Sequence, residues 1–414
     1  MKEEIVNSLD NPHQLEKLYR NDEATFRSAF DALYPEIENY QTAEIWNERL
    51  NYKRDEESQG SNHEHKFVIV ASLAAGLIAK LPDLMGIDPD YFYPRNISFA
   101  VFPFLTLYFT WKQKIATNRM VFALASIVAS AIYINVLPGG DASDTLVLAC
   151  IHLPLFLWVV LGFTFVGSQL KNYQERINFL KYNGDLVVIT TIILIAGALL
   201  TAITLSLFSI IDVSIEEFYL QYVVVWGLAA SPLVGTYFVR ANPELVGKVS
   251  PLIARVFTPL VLVTLVAYLI AMISSGRDPY RDREFLLIFN GLLIGVMALI
   301  LFSVTETSKG SESKRMKLML FLLSVVTVVV NGIALSAILF RILEWGITPN
   351  RLAVLGSNVL ILTHLLIVAH RLYKTVKESQ KVERVAQSIA VFLPVYSVWI
   401  VLVTFVFPLV FGFK

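Results

Sequence analysis

Residues 324–351 read Ser324-Val-Val-Thr327-Val-Val-Val-Asn331-Gly-Ile-Ala-Leu-Ser-Ala-Ile-Leu-Phe340-Arg341-Ile-Leu-Glu344-Trp345-Gly346-Ile-Thr348-Pro349-Asn350-Arg351. An apolar helix runs into a tight corner, and a second apolar run follows as far as Arg371. Gly346 is suited to the left-handed conformation that closes a helix. Thr348 is suited to cap the next helix, with Pro349 in its first turn, where a missing N–H costs nothing. Each arm is long enough to approach the roughly 20 apolar residues of a membrane span.

The composition extends this reading to the whole chain. Of 414 residues, 55% are apolar and only 16% charged, against about 25% charged in a soluble globular chain. The expectation is an all-α, polytopic helical membrane protein whose first partner is the lipid bilayer. Basic and acidic residues number 34 each, so net charge argues for no nucleic-acid partner. Cys150 is the only cysteine. One thiol builds neither an internal disulfide nor a zinc site, and a small apolar role suits it.

Residues 1–66 differ in kind. They hold 15 acidic and 8 basic residues in a helical pattern, and no apolar run suits a cleaved signal peptide. Asp10 and Asp22 are expected to cap helices, Asp10 ahead of Asn11-Pro12. Leu15, Leu18, Phe26, Phe30, Leu33, Trp46 and Leu50 supply the core of a small cytoplasmic helical segment, too thin to be very stable alone. Residues 54–66, with His63 and His65, read as a linker. A metal site at the two histidines is the alternative. Residues 1–53 offer a surface for a cytoplasmic protein partner.

Residues 67–414 form the membrane domain, with about 11 transmembrane helices centred on 67–84, 97–111, 119–137, 145–167, 186–211, 217–239, 252–273, 285–305, 318–343, 350–370 and 389–412. Ser214-Ile-Glu216-Glu217 reads as a capping box. Asn183-Gly184-Asp185 and Pro138-Gly139-Gly140 read as turns. Pro154 and Pro232 fall inside helices. Gly291 and Gly295 have the spacing that lets helices approach closely. Alternate loops hold eighteen basic residues, among them Lys112, Lys171, Arg240, Lys314 and Arg371, and the opposite ends hold seven. The positive-inside bias then places the N-terminus in the cytoplasm of a cell (inner) membrane and the C-terminus outside. No internal repeat marks an inverted-repeat transporter.

From Pro251 onward the order of features is distinctive. Pro251-Leu-Ile-Ala-Arg255-Val-Phe-Thr-Pro259 enters one membrane helix, and the Gly346-Ile-Thr348-Pro349-Asn350-Arg351 corner opens a later one. This resembles the bacterial membrane family named domain of unknown function 4153, whose late hairpin has a similar corner. Where that family carries an aromatic residue after the arginine, this chain has Leu352. The resemblance implies a polytopic bacterial membrane protein and carries no activity, cofactor or catalytic residue with it.

Two groups of residues are candidate sites. Asn331 and His364, with Asn358, are polar groups deep in apolar helices, where such groups are costly and usually face the bundle interior. Asn331 and His364 each lie roughly 22 Å from the corner at 1.5 Å per residue, so neighbouring antiparallel helices would match them in depth. One reading is a polar site or proton-sensitive switch. The other is an interhelical hydrogen bond, worth about 0.6 kcal/mol. The second group is an outer-face charged cluster of Arg277, Arg281, Arg283, Arg341, Glu344 and Arg351, near Tyr280 and Trp345. It suits an anionic headgroup, or else salt bridges within the loop, with Arg341 and Glu344 paired at i, i+3. Lys80 is expected to reach the interface from the end of the first span. His152 and the His370-Arg371 pair have ordinary structural readings.

No phosphate-cradling loop, His-Glu-x-x-His pair or Gly-x-Ser-x-Gly elbow occurs. Glu306 and Glu344 lie at helix ends, so a relay of buried carboxylates is hard to build. Three functions compete. The first is transport or handling of a small or lipid-like solute among the last five helices. The second is a non-catalytic scaffold or sensor signalling through the acidic N-terminal segment. The third, an intramembrane enzyme, lacks a convergent set of catalytic groups.

Overall fold

The computed structural model describes residues 1–51, 54–138, 143–275, 280, 283–307, 314–378 and 382–414. Those residues are predominantly helical, and none of them forms a strand. The chain divides into two compact units, Met1–Ile69 and Val70–Lys414.

The first unit contains α1 (Lys2–Asn7), α2 (Pro12–Asn21), α3 (Glu23–Ile37) and α4 (Gln41–Asn51). Asn11, not Asp10, caps α2: its side chain accepts the Gln14 N–H at 3.2 Å, and Pro12 takes the first helical position. Asp10 stands one residue too early to reach that amide. Asp22 caps α3 as expected, accepting from the Thr25 N–H at 3.1 Å. Leu15, Phe26, Phe30, Leu33, Trp46 and Leu50 are buried together with Ile5 and Ile37, and Leu18 packs half-buried against them. On the surface, Glu16 receives both Arg20 and Arg49 at 2.8 and 2.7 Å. Hydrogen bonds from these two guanidiniums hold the Glu16 carboxyl below its ordinary pKa. Residues 54–66, expected to be a linker, are helical. Helix α5 (Arg54–Ala79) runs through the end of this unit and into the next.

In the second unit, α6 (Leu81–Met85), α7 (Pro89–Asn96) and α8 (Phe102–Lys112) are short. The long helices are α9 (Thr117–Val136), α10 (Asp144–Val166), α11 (Tyr173–Ile210), α14 (Pro243–Ser275), α15 (Arg283–Thr307), α16 (Lys314–Trp345) and α17 (Pro349–Lys377). Between them, α12 (Glu216–Phe218) continues through a π-helical stretch into α13 (Val225–Ala241). At the end, α18 (Glu383–Val401) continues through a second π-helical stretch into α19 (Phe407–Val410). Among the described residues, nine helices are long and apolar enough to cross a membrane, where eleven spans were expected. The expected 67–84 span falls on the end of α5 and on α6, which breaks from it at Lys80. The expected 97–111 span is a 3-10 turn at Ile97–Ala100 followed by the 11 residues of α8. Eleven helical residues reach about 16 Å, half of a bilayer core.

Three local expectations are also corrected. Asn183-Gly184-Asp185 is not a turn but lies within α11. Asn183 accepts the Trp158 indole N–H at 2.8 Å and donates to Phe179 O at 2.6 Å. Gly184 leaves room for the Phe302 ring from α15, which lies where a Cβ would stand. Tertiary packing therefore overrides turn propensity. Ser214 makes no cap, because α12 begins after Ile215 without a side-chain cap. Gly291 and Gly295 have nothing within 4 Å of a Cβ position, so among the described residues no helix approaches closely at their spacing. Pro154 and Pro232 do lie inside helices. Gly139 and Gly140 lie outside the described residues. The largest core joins α14 to α18 around Leu293, Ile300, Leu320, Leu365 and Ile389.

Candidate functional site

The corner that joins α16 to α17 is built as the residues dictate. Gly346 has φ +78°, Thr348 Oγ1 accepts the Arg351 N–H at 3.3 Å, and Pro349 opens α17. Arg351 donates to the carbonyls of Trp345 and Gly346 at 2.8 and 2.7 Å, satisfying the open end of α16. Arg341 and Arg351 lie over the Trp345 ring at 5.0 and 5.7 Å. Trp345 thus gathers the corner's two arginines, while Glu344 is exposed. Arg277 and Arg281 lie outside the described residues, and of Arg283 only its place at the start of α15 is described. Tyr280 rests on Phe340, with its hydroxyl 3.3 Å from Ser336 Oγ.

From the corner, α16 and α17 run back side by side and share the most extensive helix interface of the unit. Ser324, Thr327 and Asn331 lie at i, i+3 and i+7 on the buried face of α16, and all three are fully enclosed. Ser324 and Thr327 donate to carbonyls of their own helix at 2.7 and 2.6 Å. Asn331 is different: neither its amide nitrogen nor its amide oxygen has a hydrogen-bond partner.

On α17, His364 is also fully enclosed. It does not pair with Asn331. Its Nδ1 lies 3.1 Å from the Tyr396 hydroxyl on α18, its ring stacks on Phe392 with centroids 4.4 Å apart, and its Nε2 has no partner. Asn358, 2% exposed, leaves its amide nitrogen unpartnered. Nearby, the Trp399 indole donates to Ser357 Oγ at 3.1 Å and its ring covers Gly356. Depth in the hairpin was readable from residue counting. Helix rotation was not, and it turns His364 toward α18. Tyr396 belongs to the site and was missed; its sign was a lone tyrosine in the apolar last span.

A second polar region, at one end of the bundle, also escaped the sequence. Glu306 is 6% exposed and Asp185 5% exposed, so two carboxylates are buried in helices after all. Lys181 Nζ lies 3.1 Å from Glu306 Oε1, outside hydrogen-bonding geometry. Deeper in, Tyr182 donates to Thr236 at 2.8 Å, since Thr236 itself donates to Pro232 O. Thr258 and Ser303 pair at 3.0 Å. Burial of Asp185 follows from the helical course of residues 183–185, which the turn reading had hidden.

Lys80 is 4% exposed, paired with Asp83 and placed 4.6 Å from the centre of the Tyr222 ring. It is held by protein rather than extended to an interface. His152 Nδ1 donates to Leu148 O at 2.8 Å, the bond of an ordinary helical histidine. Cys150 is half-buried at the edge of the α9–α10 core. No group of three or more metal-ligating side chains occurs among the described residues. Comparison of the chain with protein-family models, with curated proteins and with solved structures finds no match.

Proposed function

We propose that this chain is a multi-pass membrane protein that moves or handles a small hydrogen-bonding solute bound among α16, α17 and α18. The observation that carries the reading is Asn331, fully enclosed with both amide atoms unpartnered. A buried amide without a partner costs about 1–3 kcal/mol in proteins, and more where the surroundings are hydrocarbon. A polar solute passing the site relieves that cost. His364 Nε2 and Asn358 Nδ2 add two more open positions. Ser324 and Thr327 extend a polar stripe from Asn331 toward the start of α16 and keep lone pairs to offer. Asn331, Asn358 and Tyr396 bear no fixed charge, which suits an uncharged or net-neutral solute.

The reading places the protein in a bacterial inner membrane, within the family named domain of unknown function 4153, with the N-terminus cytoplasmic and the C-terminus outside. The basic loop residues support this orientation. The Thr145 N–H donates to Lys414 O at 2.9 Å, a contact compatible with the start of α10 and Lys414 facing the same side. The apolar end of α5 and the broken passage through α7 and α8 supply the two crossings beyond the nine long helices. A scaffold or sensor role is the second reading. It rests on the self-contained core of α1–α4, where Val6, Tyr40 and Ile45 are exposed to a protein partner.

The test is flux through proteoliposomes, read by light scattering after osmotic shock with glycerol, urea or a neutral amino acid. Wild type should accelerate at least one solute over protein-free vesicles, and Asn331→Leu and His364→Phe should abolish the gain. Equal rates in wild-type and empty vesicles, or full activity in both variants, would sink the reading.

A further inference from the structure

The last turn of α7 buries a cation that has no counter-ion among the described residues. Arg95 is 7% exposed. One of its terminal nitrogens donates to Tyr91 O at 3.1 Å, and the guanidinium lies 4.1 Å from the centre of the Tyr91 ring. Its Nε is buried with no partner. Among the described residues it forms no ion pair, and the acids nearest in sequence, Asp88 and Asp90, are exposed at the start of α7.

The groups around Arg95 are already committed to one another. Asn96 and Asn135 exchange amide hydrogen bonds at 2.9 and 2.8 Å, and the Tyr91 hydroxyl donates to Asn135 O at 3.0 Å. These contacts fix α7 against α9 and leave the guanidinium with open donor capacity. Helix α10, which carries the half-buried Cys150, packs against α7. A buried cation is tolerated when an anion pairs with it, and the planar guanidinium fork matches phosphate and carboxylate oxygens.

We propose that Arg95 is the centre of a binding site for a phosphate-type anion, separate from the α16–α18 site. The oxyanion comes either free from solution or as a lipid headgroup. Its negative charge sits against the guanidinium, and its oxygens accept from Nε and the remaining terminal N–H groups.

The experiment measures the unfolding temperature of the purified full chain in neutral detergent, with sodium phosphate against sodium chloride at matched ionic strength. A parallel arm uses bilayer nanodiscs of phosphatidylcholine with and without equimolar phosphatidylglycerol. A saturable rise with phosphate assigns a free anion, and a rise only with phosphatidylglycerol assigns a headgroup. Arg95→Gln should remove either response. No specific rise in wild type, or an equal rise in Arg95→Gln, overturns the proposal. Should Arg95→Gln fail to fold, the wild-type Cys150 thiol decides. A bound anion should slow its reaction with an anionic thiosulfonate on the order of threefold relative to neutral iodoacetamide, and an unchanged ratio would contradict binding.

Discussion

Two glycines on one helix should respond to the same substitution with opposite signs. Gly184 and Gly197 both lie within α11. In a helix interior, alanine is favoured over glycine by about 1 kcal/mol. At Gly197 nothing lies within 4 Å of the new methyl, so Gly197→Ala should stabilise by about that amount. At Gly184 the methyl falls well inside contact distance of the Phe302 ring. Overpacking of this kind costs about 1–3 kcal/mol, and a rigid ring places the cost near the upper end. Net destabilisation at Gly184 should be about 1–2 kcal/mol, leaving about 2–3 kcal/mol between the two variants. The assay is unfolding of the purified protein in mixed micelles titrated with dodecyl sulfate. In a Phe302→Leu background most of the Gly184→Ala penalty should disappear, because the two sites are coupled by direct contact. The account fails if Gly184→Ala stabilises as Gly197→Ala does, or if Phe302→Leu leaves the penalty intact.

Lys181→Met should cost about 3–5 kcal/mol, because it strands the Glu306 carboxylate, whose side chain is 2% exposed. Adding Glu306→Leu should return most of that loss, and a double-mutant cycle by the same titration measures it. Asn11→Ala should destabilise α2 by about 1 kcal/mol and Asp10→Ala by much less, read as local hydrogen exchange in residues 1–51. The same unit should loosen in acid. Hydrogen bonds from the Arg20 and Arg49 side chains to Glu16, and the Thr25 side-chain and backbone hydrogen bonds to Asp22, lower both carboxyl pKa values in the fold. A depressed folded pKa gives stability that is complete above the unfolded pKa and is lost as pH falls through the folded one. Exchange protection in α1–α4 should therefore be flat near neutrality and fall below the ordinary carboxylate range. Protection that rises on acidification would reverse the assignment.

The helical class was legible because hydropathy registers the one constraint hydrocarbon imposes, that every backbone group bond within its own segment. The Gly346–Pro349 corner was legible for the same kind of reason, since its φ, cap and first-turn proline are local properties. Legibility failed where neighbours decide. The turn signal at Asn183-Gly184-Asp185 is outweighed by Trp158 and Phe302, residues distant in sequence that take up the asparagine oxygen and the glycine's missing side chain. Counting residues put Asn331 and His364 at one depth, but the rotation of α17 delivers His364 to Tyr396. Arg95 is one of the seven basic residues at the ends opposite the basic loops, and only its enclosure beside Tyr91 sets it apart.

The central claim is that polar solute reaches Asn331 inside the bundle. It is tested most directly by thiol accessibility in sealed vesicles, using Asn331→Cys in a Cys150→Ser background with a membrane-impermeant maleimide. Glu344→Cys, at an exposed position, serves as the reference. The account predicts that the Asn331→Cys thiol is labelled from the aqueous phase and that a transported solute slows the labelling. A thiol at 331 that stays unreactive while the one at 344 labels fully would mean a dry, closed bundle and would contradict the account.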